Sequence, residues 1–409
     1  MFDQFRSLRR QRQRVTTRQL LRWMKETMER AGKAALWKNS RGWLERSLRR
    51  EGITRRSATN KRPSSPEEMM GPCLGWMACL MALRKANPGL YGPETTFSTD
   101  SVPLCFGSES RRTLDEKGAR RVSMKVVAGS GKRTASLHLT ITGVGPQPFP
   151  MLLLRGARTP DGKPDRAARA AELASYAKFD VHVDFQKKAW MDEVTFRRYL
   201  KFIMEDFERM GIAGSPKMAV MDNLPGQCSA ESVRCCEAEL NARCVFGPAG
   251  GTDFWQAIDH GYGHEYQTRI GSYYEEWMQS REAADLLRAQ VAPAAPVVRG
   301  LLVEWTHKAY HEIEDKRKEA EAAGKHPINM LALLRTGNLA GWSSALDAEI
   351  APEGMEDAIT KSNDPYFTEH RITKFHQLLD CMPGSACEHA DNKRPEPIGV
   401  VGPQKQADV

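Results

Sequence analysis

Three aspartates stand where carboxylates can do chemistry. Asp222 closes the apolar run KMAVMDNL (Lys217 to Leu224) just before a Pro-Gly turn, so its carboxylate emerges at the rim of a sheet, where mixed α/β folds place their reactive groups. Asp100 lies inside a β-branched run, between Thr99 and Ser101, and Asp259 opens or lies in a helix after the strand at Val245. Converged, the three make an all-oxygen site of the type that holds Mg2+ through a few carboxylates, waters and substrate phosphate. Spacing alone leaves convergence open, because a lone Asp serves equally as a helix cap or a solvated loop residue.

Other constellations are weaker. His260 and His264, and likewise His307 and His311, share the i, i+4 spacing of a helical metal pair without the HExxH form. They are expected to be structural or exposed, and no zinc is expected. GSGKRT (Gly129 to Thr134) lacks the first glycine of a phosphate loop and puts Arg133 where a hydroxyl belongs, so it reads as a hairpin turn. Nine cysteines form no CxxC and no secretory framework, which implies a reducing, intracellular setting. Cys235, Cys236 and Cys244 are expected as small buried thiols. No apolar run approaches the roughly 20 residues of a membrane helix, and nothing points to an organic cofactor.

The elements that must position the aspartates follow from patterning. TTFSTDSVPLCF (95–106), RRVSMKVVA (120–128), TASLHLTITGV (134–144) and PMLLLRG (150–156) read as strands, then FDVHVDF (179–185) as another. WMDEVTFRRYLKFIMEDFERMG (190–211) is a helix with Phe196, Leu200, Ile203 and Phe207 on one face, followed by the strand at 217–224. SAESVRCCEAELNA (229–242) is a helix, RCVFGPAGG (243–251) a strand entering a loop, and TDFWQAIDHGYGHEY (252–266) a turn leading into helix. Antiparallel strands followed by alternating strand and helix describe a mixed α/β sheet covered by helices. Leu301 to Glu321 and Pro327 to Gly341 add helical pieces, and Asn392 to Val409 reads as a polar, disordered tail.

Charge divides the 409 residues unevenly. Residues 1–62 hold 19 basic and 5 acidic side chains, a charge of +14, while the rest of the chain is mildly acidic and brings the total to +9. A short basic module that meets a polyanion, joined to a different body, follows from that asymmetry. Within it, VTTRQLLRWMKETMERAG is an amphipathic helix with Thr16 and Gln19 at capping-box spacing and Gly32 as a stop. A second helix starts after an Asn39 or Ser40 cap and runs to Gly52. Two short helices with a basic surface fit a helix-turn-helix whose arginines reach phosphates beside the major groove. Trp23, Trp37 and Trp43 are read as core residues of this module. KRPSSPEE (61–68) is the linker and marks the domain boundary.

These motifs carry a family resemblance. MDNLPGQ (221–227) and CVFGPAGGTDFWQAIDHGYG (244–263) resemble the second and third acidic motifs of pogo and Tigger-like DDE transposases, and FSTDSVPLCF resembles their first. ALWKNSRGWLERSLRREGITRR (35–56) is similar to the centromere-protein-B-type helix-turn-helix, and VEWTHKAYHEI (303–313) and IAPEG (350–354) resemble segments that trail the catalytic domain. The likeness runs from about residue 8 to 355 in the family's order.

The resemblance implies an RNase H-like α/β fold, a mixed sheet with flanking helices forming a DDE nuclease domain, preceded by a small all-α DNA-binding domain. It implies boundaries of 1–62 for the helix-turn-helix, 63–92 for linker and helix, 93–275 for the endonuclease domain, 276–391 for a helical extension and 392–409 for a disordered tail. Asp100 on the first strand, Asp222 at the end of the fourth and Asp259 at the start of a later helix would be the catalytic metal ligands, with Asp253 and Glu265 as rivals for the third place. Two Mg2+ (or Mn2+) ions, about 3.5 to 4 Å apart, would support DNA phosphodiester cleavage and strand transfer. Arg41, Arg46, Arg49, Arg50, Arg55 and Arg56 would contact double-stranded DNA, in a nuclear protein expected to act as a homodimer or larger assembly. Departures accompany the likeness: GPAGG stands for the family's PPNTT, QAID for QPLD, Ser101 for the Glu after the first Asp, and Gln227 for a His. They motivate the alternative of a decayed or domesticated DNA-binding protein that keeps the fold without nuclease activity.

Overall fold

The computed structural model describes residues 2, 5–6, 17–33, 41–53, 66–106, 133–159, 161–289, 291–347 and 349–350. The chain divides into two units, Met1–Met69 and Met70–Val409. In the first, helices α1 (Thr17–Arg30) and α2 (Arg41–Arg50) form where their apolar spacing predicts them. Each ends on a glycine with φ of +66°, Gly32 and Gly52. The following N–H closes the last turn in both, Lys33 on Met28 O at 2.9 Å and Ile53 on Leu48 O at 2.8 Å, a termination that only a residue without a Cβ adopts freely. Leu20, Leu44 and Ser47 are buried, Trp23 and Trp43 half-buried, and Arg46, Arg49 and Arg50 exposed. Thr16, Trp37, Asn39, Ser40, Arg55 and Arg56 lie outside the described residues, as does the side chain of Arg41.

Helix α3 (Pro66–Ala86) leads into the second unit. Six strands follow: β1 (Thr96–Cys105), β2 (Arg133–Thr142), β3 (Met151–Leu154), then after α4 (Arg166–Tyr176) β4 (His182–Phe185), after α5 (Glu193–Arg209) β5 (Lys217–Met221), and after α6 (Pro225–Cys228) and α7 (Ala230–Leu240) β6 (Ala242–Phe246). Helix α8 (Thr252–Trp255), a 3-10 turn (Ala257–Asp259), α9 (Tyr262–Trp277), α10 (Arg281–Ala289), α11 (Ala295–Ala322), α12 (Ile328–Arg335) and α13 (Ser344–Asp347) complete the chain as described. The sheet order is β4-β3-β2-β1-β5-β6. β1, β2 and β3 pair antiparallel, whereas β4, β5 and β6 each lie parallel to their neighbour. With β4 set aside as an added edge strand, the order is that of an RNase H-like sheet. The insertion of β4 corrects one expectation: Asp222 follows the fifth described strand, not the fourth. The expected strand at 120–128, the glycines of the GSGKRT turn and the tail from 392 lie outside the described residues.

Strand alternation sorts the core into layers. Met151 and Leu153 of β3, with Phe97, Ala219 and Met221, pack against Phe196, Leu200, Ile203 and Phe207 of α5 and Cys236 of α7. Leu152 and Leu154, with Val102, Leu137, Leu139 and Ile141, join the opposite core with Tyr262, Tyr266, Leu302, Trp305 and Leu333. Helices α11 and α12, from the segment the sequence reading sets apart as an extension, thus share the core of the sheet. Buried Arg84 of α3 ties this layer to the first strand. Its guanidinium donates to Tyr91 O at 3.0 Å, Thr96 Oγ1 at 3.0 Å, Asn338 O at 2.9 Å and Ala340 O at 2.6 Å.

Candidate functional site

The register of β1 against β5 sets the first two carboxylates. Thr96 pairs with Met218, Phe97 with Ala219 and Ser98 with Val220. Continued two residues past this paired stretch, the same parallel register would bring Asp100 abreast of Asp222, whose charge reaches Asp100. Alternation gives Asp100 the face of Ser98 and Val102, and both of those residues touch the segment that carries Asp259. The Ser98 hydroxyl donates to Gln256 Oε1 at 2.7 Å, and Gly263 is so close to β1 that a Cβ there would lie 2.7 Å from Val102 Cγ2. Asp259 sits between these two anchors, as the last residue of a short 3-10 helix that precedes α9.

Gln256 does most of the local positioning. Its side chain is fully buried. Nε2 donates to Thr99 O at 3.2 Å, and Oε1 accepts from Ser98 Oγ and, at 3.4 Å, from the N–H of Ile258. One amide therefore caps the turn that ends at Asp259 and bridges it to the strand that carries Asp100. Asn223 plays the matching part beside Asp222: its Nδ2 donates to Gly247 O at 2.5 Å, which joins the turn after β5 to the loop after β6. That loop is wrapped on the indole of Trp255, whose Nε1 donates to Pro248 O at 3.1 Å. A Cβ at Gly247 would fall 2.0 Å from Trp255 Cε2, so the position needs the absence of a side chain.

Exposure grades the three carboxylates, with Asp100 buried, Asp222 half-buried and Asp259 exposed. Burial pushes the Asp100 carboxyl well above the ordinary range, the nearby charge of Asp259 adds to this, and Asp222 adds less. The Ser101 N–H, 2.6 Å from Asp100 Oδ1, opposes the rise. Burial also raises Asp222, against the N–H of Asn223 at 2.7 Å from its Oδ1. Of the rivals for third ligand, Glu265 is engaged by Arg269, which also donates to Glu312 at 3.1 Å. Asp253 is half-buried, with its carbonyl against His260 Nε2 at 2.9 Å. The acidic neighbours that raise Asp100 are Asp259 and Asp222. Elsewhere among the described residues, ligand-type atoms of Asp180, His307 and His311 lie within 4.8 Å of one another.

Among known proteins, curated sequences carry the pogo signal. The human protein "Pogo transposable element with KRAB domain" is 24% identical over 281 residues, 68% of this chain and 42% of the human protein. Its mouse counterpart is 23% identical over 282 residues, 68% of this chain and 43% of the mouse protein. This chain is similar in sequence to these pogo transposable element proteins. It spans less than half the length of those two relatives. No family model matches it. Similar solved structures include a pre-cleavage Mos1 transpososome, with a TM-score of 0.42 and 10% identity over 80% of this chain and 77% of that one. Another is the Mos1 mariner paired end complex with Mn, with a TM-score of 0.40 and 11% identity over 76% and 71%. No helix among the described residues is long and apolar enough to cross a membrane.

Sequence reasoning named Asp100, Asp222 and Asp259 and missed the working parts around them. The signal for Gln256 was available in WQAI, a polar amide between Trp255 and Ala257-Ile258. A polar side chain inside such an apolar run has to find partners when it is buried.

Proposed function

We propose that this pogo-type chain binds double-stranded DNA through α1 and α2 and cleaves and rejoins phosphodiester bonds at Asp100, Asp222 and Asp259. The observation that carries the proposal is the β1–β5 register, which runs toward Asp100 and Asp222 beside the turn of Asp259 that Gln256 and Gly263 pin to β1. The donor set fits a hard divalent cation: it is all carboxylate, and its buried member is flanked by like charges that a cation relieves. Two Mg2+ or Mn2+ ions held by these three residues would supply a water or 3′-hydroxyl of lowered pKa and stabilisation of the leaving oxygen. The chain's own contribution is positioning. Gln256 holds Asp259 to the strand of Asp100, Asn223 holds the Asp222 turn against Gly247, and the burial of Asp100 keeps solvent from one side of the site.

For DNA, Arg46, Arg49 and Arg50 are exposed on α2, whose Leu44 and Ser47 are buried, and Arg50 also donates to Ser47 Oγ at 3.2 Å. Arg41, Arg55 and Arg56 are assigned to the same contact on sequence alone. A module of this charge binds phosphates with strong salt dependence. We assign residues 1–62 to DNA binding, 63–92 to the linker and helix, 93–275 to the nuclease, and 276–391 to a helical segment whose α11 and α12 pack into the nuclease core, before the tail at 392–409. The site of action is the nucleus, and the acting species is a homodimer.

The test is Mg2+- or Mn2+-dependent nicking of supercoiled plasmid by the purified chain beside Asp222→Ala and Asp259→Ala. Nicking that disappears in both variants is expected, and nicking that persists in both refutes the site. A second reading, a DNA-binding relic without catalysis, is favoured by the GPAGG and QAID departures. It predicts plasmid binding without nicking by the parent chain.

A further inference from the structure

Three strands away from Asp100, the far edge of the sheet carries a second group of ligand-type side chains. Asp180 lies in the turn between α4 and β4, and His307 and His311 lie one helical turn apart on α11. The spacing of the two histidines was visible in the sequence, but Asp180, 127 residues before His307, was not part of that reading. We propose that Asp180, His307 and His311 form a binding site for one transition-metal ion of the zinc class, distinct from the three-aspartate site.

The geometry is that of a pocket prepared for three ligands. The donor atoms of the three residues all lie within 4.8 Å of one another. Asp180 Oδ2 is 2.8 Å from His311 Nε2 and 3.9 Å from His307 Nδ1. Ligand atoms about 2.0 to 2.2 Å from a tetrahedral zinc ion stand roughly 3.3 to 3.5 Å apart, and the two observed separations bracket that value. The backbone N–H of Asp180 donates to His307 Nδ1 at 3.0 Å. That nitrogen is therefore the unprotonated one, and its single lone pair passes to an ion when the bond from the Asp180 N–H gives way.

Aromatic contacts hold the rings in place. Phe179 meets His307 edge-on with centroids 5.3 Å apart, Tyr310 meets His311 at 5.2 Å, and the two imidazoles are 4.5 Å apart. Two imidazoles and one carboxylate make a borderline-soft set that suits zinc, cobalt or nickel better than magnesium. Three protein ligands leave a fourth position open. Asp180 and His311 also line a cavity of about 290 Å³ that gives a water access to it. The cations around that cavity are already matched: Arg209 pairs with Asp206, Arg317 with Glu314 and Glu321, and Lys318 with Asp315. An incoming ion meets a local field set by Asp180. Bound there, it would fasten the long helix α11 to the turn that launches the edge strand.

The test titrates the full chain with Co2+ in the presence of excess Mg2+, reading the visible d–d absorption of cobalt, followed by displacement with Zn2+. We expect absorption that saturates at one equivalent and is abolished by Zn2+. It should be lost in His307→Ala, His311→Ala and Asp180→Asn and kept in His264→Ala. Asp180→Asn preserves size and the backbone N–H to His307, so it guards against loss through misfolding. Thermal unfolding supplies the second readout, with Zn2+ raising the midpoint of the parent and leaving that of Asp180→Asn unmoved. A parent chain without saturable absorption overturns the proposal, as does absorption that survives in the His307→Ala/His311→Ala double variant.

Discussion

Replacing Gln256 with methionine tests whether one buried amide holds the candidate site together. Methionine fills nearly the same volume, so the change removes hydrogen bonds with little cavity cost. The bonds removed are those to the Ser98 hydroxyl at 2.7 Å, the Thr99 carbonyl at 3.2 Å and, as the longer cap, the Ile258 N–H at 3.4 Å. Ser98 is fully buried, so its hydroxyl is left without water as a substitute. Two buried groups deprived of their partner, at about 1 to 2 kcal/mol each, lower stability by about 2 to 4 kcal/mol. Urea unfolding followed by tryptophan emission measures this, and a cycle with Ser98→Ala isolates a coupling of about 1 kcal/mol. The turn loosened by the change carries Asp259, and a displacement of about 1 Å in a catalytic group costs roughly 100-fold in rate, so plasmid nicking should fall by about that factor. Stability within about 0.5 kcal/mol of the parent, with no coupling to Ser98, would refute the account of Gln256 as the strut.

Gly247→Ala drives a methyl group to 2.0 Å from the buried Trp255 ring; a loss of about 3 kcal/mol or more is expected, read as a shifted unfolding midpoint with altered tryptophan emission. Buried Lys217 donates to the carbonyls of Ala213, Ser215 and Leu240, and burial lowers its pKa to about 8 from an ordinary 10.5. The unfolded chain then binds more protons between these values, so stability should rise with pH across that window by up to about 3 kcal/mol, and Lys217→Met should flatten that rise relative to the parent. Arg49 and Arg50 replaced together by alanine should weaken DNA binding to all sequences and reduce the salt dependence of the affinity; unchanged binding would remove α2 from the DNA contact.

The parts of this molecule that were legible in the sequence are those set by local patterning. β1, α5 and the strand that ends at Asp222 follow from apolar spacing, and the aspartates from their positions at strand and turn boundaries. The β1–β5 pairing was not legible, because a parallel register joins segments some 120 residues apart and leaves no short-range trace. Helix α4, RAARAAELASY, went unread because its only large buried side chain is Tyr176 and alanines give no amphipathic signal. It is fixed instead by an Asp165 cap and by the ion pair of Glu172 with Arg299. The packing of α11 into the same core as the sheet was hidden for a similar reason: a helix rich in charge reads as solvent-facing until Arg299, Glu314 and Arg317 are found buried in mutual ion pairs or with Glu172.

The buried guanidinium of Arg84 has a consequence for how the chain comes into being. Two of its four oxygen partners lie at Asn338 and Ala340, 254 and 256 residues downstream. At about 5 to 20 residues per second, translation reaches them roughly 13 to 50 s after the arginine itself has been made. Until then the charge stays in water, and α3 has no complete seat beside β1. The six-stranded sheet can therefore lock only when synthesis has passed residue 340, and a nascent chain stalled before that point presents an open layer for chaperones to hold.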